Sequence, residues 1–526
     1  MLFSIVVFLL LTGAFVYLRK IGARDKDLPP GPPTLPIIGN LHLLPKESSH
    51  FKFTEWARQY GGIYSLKVGP GTVIVVTDPT IVKELLEKRS ATTSDRPAMY
   101  IVDQITGGFD IAFARYGDEW RTLRKTAHAI LTPQAATRHL AIQRAEATQL
   151  LHDILTSPQD FYTHVRRYTI SVIMSVLYGQ RVPHYGTPET IAFFEMMHLW
   201  TEVLAPGAAP PLDLLPIFKL VPERWAKWRQ TVRKIQGLMR PLFFGLLDAA
   251  EERIRSGVQN ECYVEEILEK QADFGLDRKM IAYFAGTLIE GATETTASYL
   301  HSFILCMIAY PEAQRKAQEE IDRVVGQDRL PNLDDRLPYV QALILETHRF
   351  RPVSPMFVPH ATTASERYND YVIPSGSAIF ANAWGMLHDP ALFEDPEDFR
   401  PERYLLTENG TKPGVDASDM RGLFAFGVGR RSCPGIHLAQ NSIHINVMNL
   451  IWAFDFKPVL DSHGNNIQPD TWAYSKGISF APLPFDCLIS PRTSHKARII
   501  RQEFSESATI FERFEHAGRS TGVDGQ

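Results

Sequence analysis

Cysteine is scarce in this chain. Its 526 residues include four, at positions 262, 306, 433 and 487, and no two of them stand in a C-x-x-C spacing. That excludes a disulfide framework and a zinc ribbon, and it suits a reducing compartment. There is no low-complexity run, long linker or internal repeat, so nothing marks the chain as disordered or as a repeat array. Charge of one sign is lacking too. Fifty-five Lys and Arg against 59 Asp and Glu leave a formal charge of −4, which argues against nucleic acid as a partner. What is present is 44% hydrophobic residues, enough for a large core. Length alone would allow three or four domains, yet no linker divides the chain.

Leu2 to Leu18 is uncharged and mostly apolar, and Arg19, Lys20, Arg24 and Lys26 follow it. As a helix it would span roughly 26 Å at about 1.5 Å per residue, enough for a bilayer core. A cleaved signal peptide carries its positive charge first. The expectation is therefore an uncleaved anchor over residues 1–20, with the rest of the chain on the cytosolic side. Repeated prolines from Pro29 to Pro36 make residues 21–45 a stiff, extended hinge.

The chemistry is concentrated in Phe424-Ala425-Phe426-Gly427-Val428-Gly429-Arg430-Arg431-Ser432-Cys433-Pro434-Gly435. Three glycines and a proline demand a sharply bent backbone, and an apolar helical pattern begins at Ile436. Cys433 thus stands just before a helix, with Pro434 at a first-turn position. A helix N-terminus and two adjacent arginines are expected to lower its pKa, giving a nucleophile or a metal ligand. A free buried cysteine is the plain alternative.

Other stretches stand out. Tyr64 to Thr77 reads as a hairpin around Gly69-Pro70-Gly71. Asp118 opens a helix in which Trp120 and Arg124 share a face. Lys279 to Tyr310 is a long apolar helix interrupted by Glu290-Gly291-Ala292-Thr293-Glu294-Thr295-Thr296. Polar groups are costly there unless they are used, although a threonine can simply bond the carbonyl four residues back. Glu346 and Arg349 lie three apart on a helix that begins near Pro338. Phe399-Arg400-Pro401-Glu402-Arg403 follows later. Residues 135–275 read as mostly helical, broken by the proline-rich stretch from Ala205 to Phe218.

Phe426, Gly429, Arg431, Cys433 and Gly435 fit the pattern Phe-x-x-Gly-x-Arg-x-Cys-x-Gly. This resembles the haem-binding loop of the cytochrome P450 family. The threonine groove (with Ala292 where the family has a second glycine), Glu-x-x-Arg and Pro-Glu-Arg resemble it as well. The resemblance implies a mainly α fold with a small β region, preceded by one transmembrane helix. It implies a catalytic domain over 46–492 and a polar tail over 493–526, its last dozen residues disordered. Haem b would be held by Cys433 as axial thiolate, with Phe426 beside the sulfur. Arg431, Trp120, Arg124 and His360 would surround the propionates. Thr295 would steady dioxygen and its proton-donating water, and Glu294 would relay protons. Glu346, Arg349 and Arg403 would brace the core behind the loop.

The implied reaction inserts one oxygen atom of dioxygen into a lipophilic small molecule, in texture a fungal secondary metabolite. Electrons would come from NADPH through a cytochrome P450 reductase, with cytochrome b5 as a further candidate donor. That partner would dock near Arg121, Arg124, Lys125 and Arg430. The implied location is the endoplasmic reticulum membrane. A haem-thiolate isomerase or dehydratase, and a non-catalytic haem protein, are the competing readings.

Overall fold

The computed structural model describes residue 13 and residues 20–204, 208–210, 212–213, 216–477 and 479–515. All of the Leu2–Leu18 stretch except residue 13 lies outside the described residues. Among those described, no helix is long and apolar enough to cross a membrane.

The principal helices are α1 Ser49–Tyr60, α2 Asp118–Ile130, α3 Leu140–Thr156, α4 Phe161–Tyr178, α5 Pro188–Leu204, α6 Lys227–Arg255, α7 Arg278–Ala309, α8 Pro311–Val324, α9 Pro338–Phe350 and α10 Ile436–Ala453, followed by α11 Ser494–Glu506 and α12 Ala508–Glu515. The spine is α7. Its 32 residues run about 48 Å at 1.5 Å per residue. Asp277 caps it, accepting the Met280 N–H at 2.7 Å, and Pro311 follows its end. Phe284, Leu300, Phe303 and Ile304 on α7 are fully buried. The helix packs on α4, α9 and α10, which makes it central to the apolar core. Gln143 ties α3 to α10 through Leu438 O at 3.0 Å and Ser442 Oγ at 2.8 Å.

Strands are few and short. The hairpin forms β1 Ile63–Val68 and β2 Gly71–Val76, with Ile63 opposite Val76 and Val68 opposite Gly71. Strands β3 His360–Ala361, β4 Glu366–Tyr368, β5 Tyr371–Ile373 and β6 Ala378–Ala381 follow. The main sheet has the order β1-β2-β6-β3. In it β2 and β6 run parallel, and β3 pairs antiparallel with β6, placing His360 opposite Ile379.

The end of the chain departs from expectation. Polar composition after Thr493 suggests a tail, but α11 and α12 fold back onto the helical core. Composition misleads here because the apolar side chains are few and spaced for one face. Ile500 is fully buried, and Phe511 and Phe514 are 6% and 5% exposed. Arg181 anchors α12. Its guanidinium lies 3.6 Å from the Phe511 ring centroid, pairs with Glu515 and donates to Glu146 Oε1 at 2.8 Å. Fully buried Glu146 also takes a bond from Arg167 Nη1 at 2.5 Å. Lys496 and Arg492 both pair with Asp322, at 2.9 and 2.5 Å. Each buried Ile or Phe contributes about 1.5–3 kcal/mol. Truncation after Thr493 should therefore lower Tm by at least ~5 °C, read by circular dichroism. An unchanged melting curve would show that α11 and α12 carry no stability.

Candidate active site

The cysteine loop is shaped by its glycines. Gly427 and Gly429 have φ of +69° and +64°, a region closed to most side chains. At Gly429 space is also absent: a Cβ there would lie 2.2 Å from Leu86 O, in the turn Lys83–Lys88 that supports the loop. Ser432 N–H donates to Gly429 O at 3.2 Å, and Cys433 N–H to Phe426 O at 2.8 Å. These bonds fold the loop so that Cys433, half-buried and free, is delivered just before α10. The Phe426 ring meets His348 of α9 at 5.9 Å, at 63° between planes.

The expected lowering of the thiol pKa is not found. Burial pushes the Cys433 thiol up, while the Gly435 amide and Arg124 pull it down without prevailing. Neither adjacent arginine offsets the burial. Arg430 is exposed and bonds the Tyr116 hydroxyl. Arg431 turns to three carbonyls: Ser94 at 2.8 Å, Ile111 at 3.3 Å and Ala114 at 2.8 Å. Sequence adjacency cannot tell where a long side chain points. A cysteine raised this way is deprotonated by a metal that binds it, rather than beforehand.

Around the loop gathers a set of buried and half-buried cations. The Arg431 guanidinium lies 4.0 Å over the Trp120 ring, and burial lowers its pKa to about 9. Trp120 is 4% exposed and donates Nε1–H to Ile111 O at 3.1 Å, the carbonyl that Arg431 also uses. The cation over Trp120 is thus Arg431. Arg124 instead donates to Ser432 Oγ at 3.3 Å and His128 Nε2 at 3.0 Å. Both Trp120 and Arg124 are buried.

His360 is buried on β3 with Nδ1 2.9 Å from Thr93 O. Burial first, then Arg96, hold its pKa down at about 3, so the ring is neutral. Arg96 was not legible in the sequence. It is 4% exposed and donates to Ala112 O at 2.8 Å, Val358 O at 2.7 Å and Pro359 O at 3.0 Å. Its only sequence signal is an arginine before a proline. Among the described residues, Arg96, Arg124 and Arg431 form no ion pair with a carboxylate; the nearby Asp95 is engaged by Arg115 and the Tyr116 N–H. Buried charges are normally paired, so this pocket suits an anionic group.

On α7, Gly291 is exposed in mid-helix, and a Cβ there would meet nothing within 4 Å. Thr295 Oγ1 donates to Gly291 O at 2.6 Å, the back-bond that its spacing allows. Glu294 is half-buried. Burial raises its pKa, and Arg166 opposes this.

The Cytochrome P450 family model matches residues 29–488. The chain belongs to the cytochrome P450 family. A cytochrome P450 monooxygenase of Armillaria gallica is 45% identical, the match covering 96% of this chain and 97% of that protein. One from Aspergillus terreus is 37% identical, over 96% of each. A solved zebra fish cytochrome P450, determined with abiraterone, has the same fold. Its TM-score is 0.68 at 24% identity, covering 84% of this chain and all of that one. This P450 is accordingly a haem-thiolate monooxygenase.

The residues fit haem b. The buried and half-buried arginines without a carboxylate ion pair among the described residues match its propionates, the open face at Gly291 leaves room for a flat ring, and Cys433 is a soft thiol suited to iron.

Behind the loop, Glu346 and Arg349 are 0% exposed and Arg403 is 5% exposed. Arg349 Nε and Nη2 donate to the Glu346 oxygens at 2.8 and 2.9 Å. Arg403 Nε lies 3.1 Å from Glu346 Oε2. The remaining Arg349 donors reach Leu387 O, Pro396 O and Asp398 O. Arg400 N–H completes the Glu346 carboxylate at 2.7 Å. The P450 thus joins α9 to the 387–403 segment through one buried carboxylate.

Proposed function

We propose that Cys433 holds the haem iron, that Arg96, Arg124, Arg431, Trp120 and His360 seat its propionate edge, and that the enzyme oxygenates a lipophilic fungal secondary metabolite. The observation that carries this reading is the set of buried Arg96 and Arg124 and half-buried Arg431 beside the cysteine loop, none of them in a carboxylate ion pair among the described residues. The haem, when bound, supplies dioxygen activation and one-electron chemistry. The chain supplies position and protons. Neutral His360 offers a nitrogen without adding charge. Glu294, whose pKa burial raises, is a candidate proton relay within α7. Thr295 Oγ1 spends its proton on Gly291 O at rest and can accept through its lone pairs. Rotating it releases that proton toward the exposed Gly291 face.

Electrons come from NADPH through a membrane-bound reductase. Arg121, Lys125 and Arg430 are exposed and suit an acidic partner. Arg124, expected among them, is buried and serves the site instead. Membrane attachment through the N-terminal segment, at the endoplasmic reticulum, is supported by exposed Leu35, Ile37, Ile38, Leu41 and Leu43 in the proline-rich stretch that follows it. Apolar side chains clustered this way suit a lipid surface.

Thr295→Ala tests the proton role. NADPH oxidation should persist while product formed per NADPH falls about tenfold, a modest share of what general acid–base groups contribute. Thr295→Ser should recover most of the loss. Unchanged coupling in the alanine variant removes Thr295 from proton delivery.

A further inference from the structure

One stretch of α7 opens inside the molecule. From Ile281 to Ile308 every residue is buried except Leu288, Glu290, Gly291, Ala292, Glu294 and Thr295. Gly291, Glu294 and Thr295 have roles above; Glu290 has none. It is half-buried and makes no hydrogen bond or ion pair among the described residues. An interior carboxyl without a partner departs from the rule that such groups are hydrogen-bonded. Asp110 is near it. That carboxylate is 2% exposed, and its Oδ1 accepts the Ala112 and Phe113 N–H groups at 2.7 and 3.2 Å. Burial first, then the Asp110 charge, hold the Glu290 carboxyl well above the usual carboxylate range. Asp110 begins the segment whose Ile111, Ala112 and Ala114 carbonyls hold Arg431 and Arg96. Glu290 therefore lies beside both that segment and the open face at Gly291. Half-buried Phe109 and Phe113 flank Asp110. Phe109 lies 6.3 Å from Tyr283 of α7, and Phe113 lies 6.3 Å from Trp200 of α5.

We propose that Glu290 accepts a hydrogen bond from a hydroxyl group of the substrate, and so selects hydroxylated molecules from otherwise similar lipophilic ones. Three ligand groups could meet a carboxyl here. An ammonium would come under Arg96 and Arg431, whose charges already reach Asp110, and they would repel it. A carbonyl oxygen would need Glu290 to donate its proton, for which the neighbouring Asp110 competes. A hydroxyl needs only an acceptor oxygen, which a carboxyl offers in either protonation state. A substrate without the hydroxyl would leave the interior carboxyl unmatched and bind less well. Phe109 and Phe113 suit an aromatic body on that substrate. The assignment rests on the haem seat proposed above, which puts the 288–295 opening on the oxygen side.

The test is optical titration of the holoenzyme, following the Soret shift, with a panel of hydroxyarenes and their methyl ethers. In the parent protein the best-bound hydroxyarene should have a Kd about tenfold below that of its ether. In Glu290→Leu this preference should vanish while the ether binds as before. Glu290→Gln keeps one acceptor oxygen and should retain part of the preference. The Glu290 carboxyl has no partner, so neither variant breaks a bond of the fold. The carbon monoxide adduct of each reduced protein is recorded alongside. A normal band shows that the haem seat is intact, so a preference lost with the band kept belongs to Glu290. A parent protein without the band fails the haem reading instead, and this assignment with it. With the band present, a parent that binds hydroxyarene and ether equally overturns the assignment, and so does a preference that Glu290→Leu leaves unchanged.

Discussion

Cys433→Ala should abolish the red-shifted Soret band of the reduced carbon monoxide adduct and eliminate monooxygenase activity. The band reports a thiolate on iron, and among the described residues the other three cysteines are not carried by the glycine-shaped loop. Cys262 and Cys306 are buried, and burial lifts each to about 12. Cys487 is half-buried beside β7, Phe454–Lys457, and is also raised to about 12. The folded chain should survive the change, because the loop is closed by backbone bonds, Cys433 N–H to Phe426 O among them. The far-ultraviolet circular dichroism spectrum should therefore match the parent while the visible spectrum does not. Cys487→Ala serves as the control and should keep both. A Cys433→Ala protein that retains the band assigns the ligand elsewhere.

Glu346→Ala should leave little haem-loaded protein. Its carboxylate is 0% exposed and holds Arg349, itself 0% exposed, together with Arg403. Removing it strands two buried guanidiniums, and breaking a buried pair by deleting one partner costs about 3–5 kcal/mol. The whole stability of a domain is about 5–15 kcal/mol, so this is a large share. The damage should fall on the haem loop first. α9 carries both Glu346 and His348, and His348 touches Phe426. Haem per chain, from the pyridine haemochrome, and Tm are the measurements. Near-normal haem content and an unchanged Tm would make the network dispensable. Glu346→Gln should fall between the two, since it keeps one acceptor oxygen for the arginines and loses the charge.

Much of the site was legible because it is local. The cysteine loop is twelve consecutive residues whose glycines dictate their own backbone, and the helix after it follows from apolar spacing. The hairpin at Gly69-Pro70-Gly71 and the long α7 are equally short-range statements. The Glu346–Arg349 pair follows from helical spacing three apart. Burial of that pair depends on Arg403 arriving from 54 residues downstream of Arg349, which no local pattern states.

Other features were not legible. Trp120 and Arg124 share a helical face, yet Trp120 receives its cation from Arg431, more than 300 residues away. Arg124 is charged and near the loop, but the fold buries it rather than leaving it on the surface beside Arg121 and Lys125. Arg96 has no motif because its three carbonyl partners are backbone atoms, and every residue has those. The tail looked polar because most of its side chains are, while Ile500, Phe511 and Phe514 find their partners only when the chain folds back.

By itself, then, the amino-acid order determined the family, the cysteine loop and the type of each long element, all of which are written in neighbouring residues. Tertiary structure alone decided which arginines are buried beside the cysteine, which way they point, and how its thiol titrates. Those properties depend on desolvation and on contacts between segments far apart in the chain, and neither exists until the chain has packed.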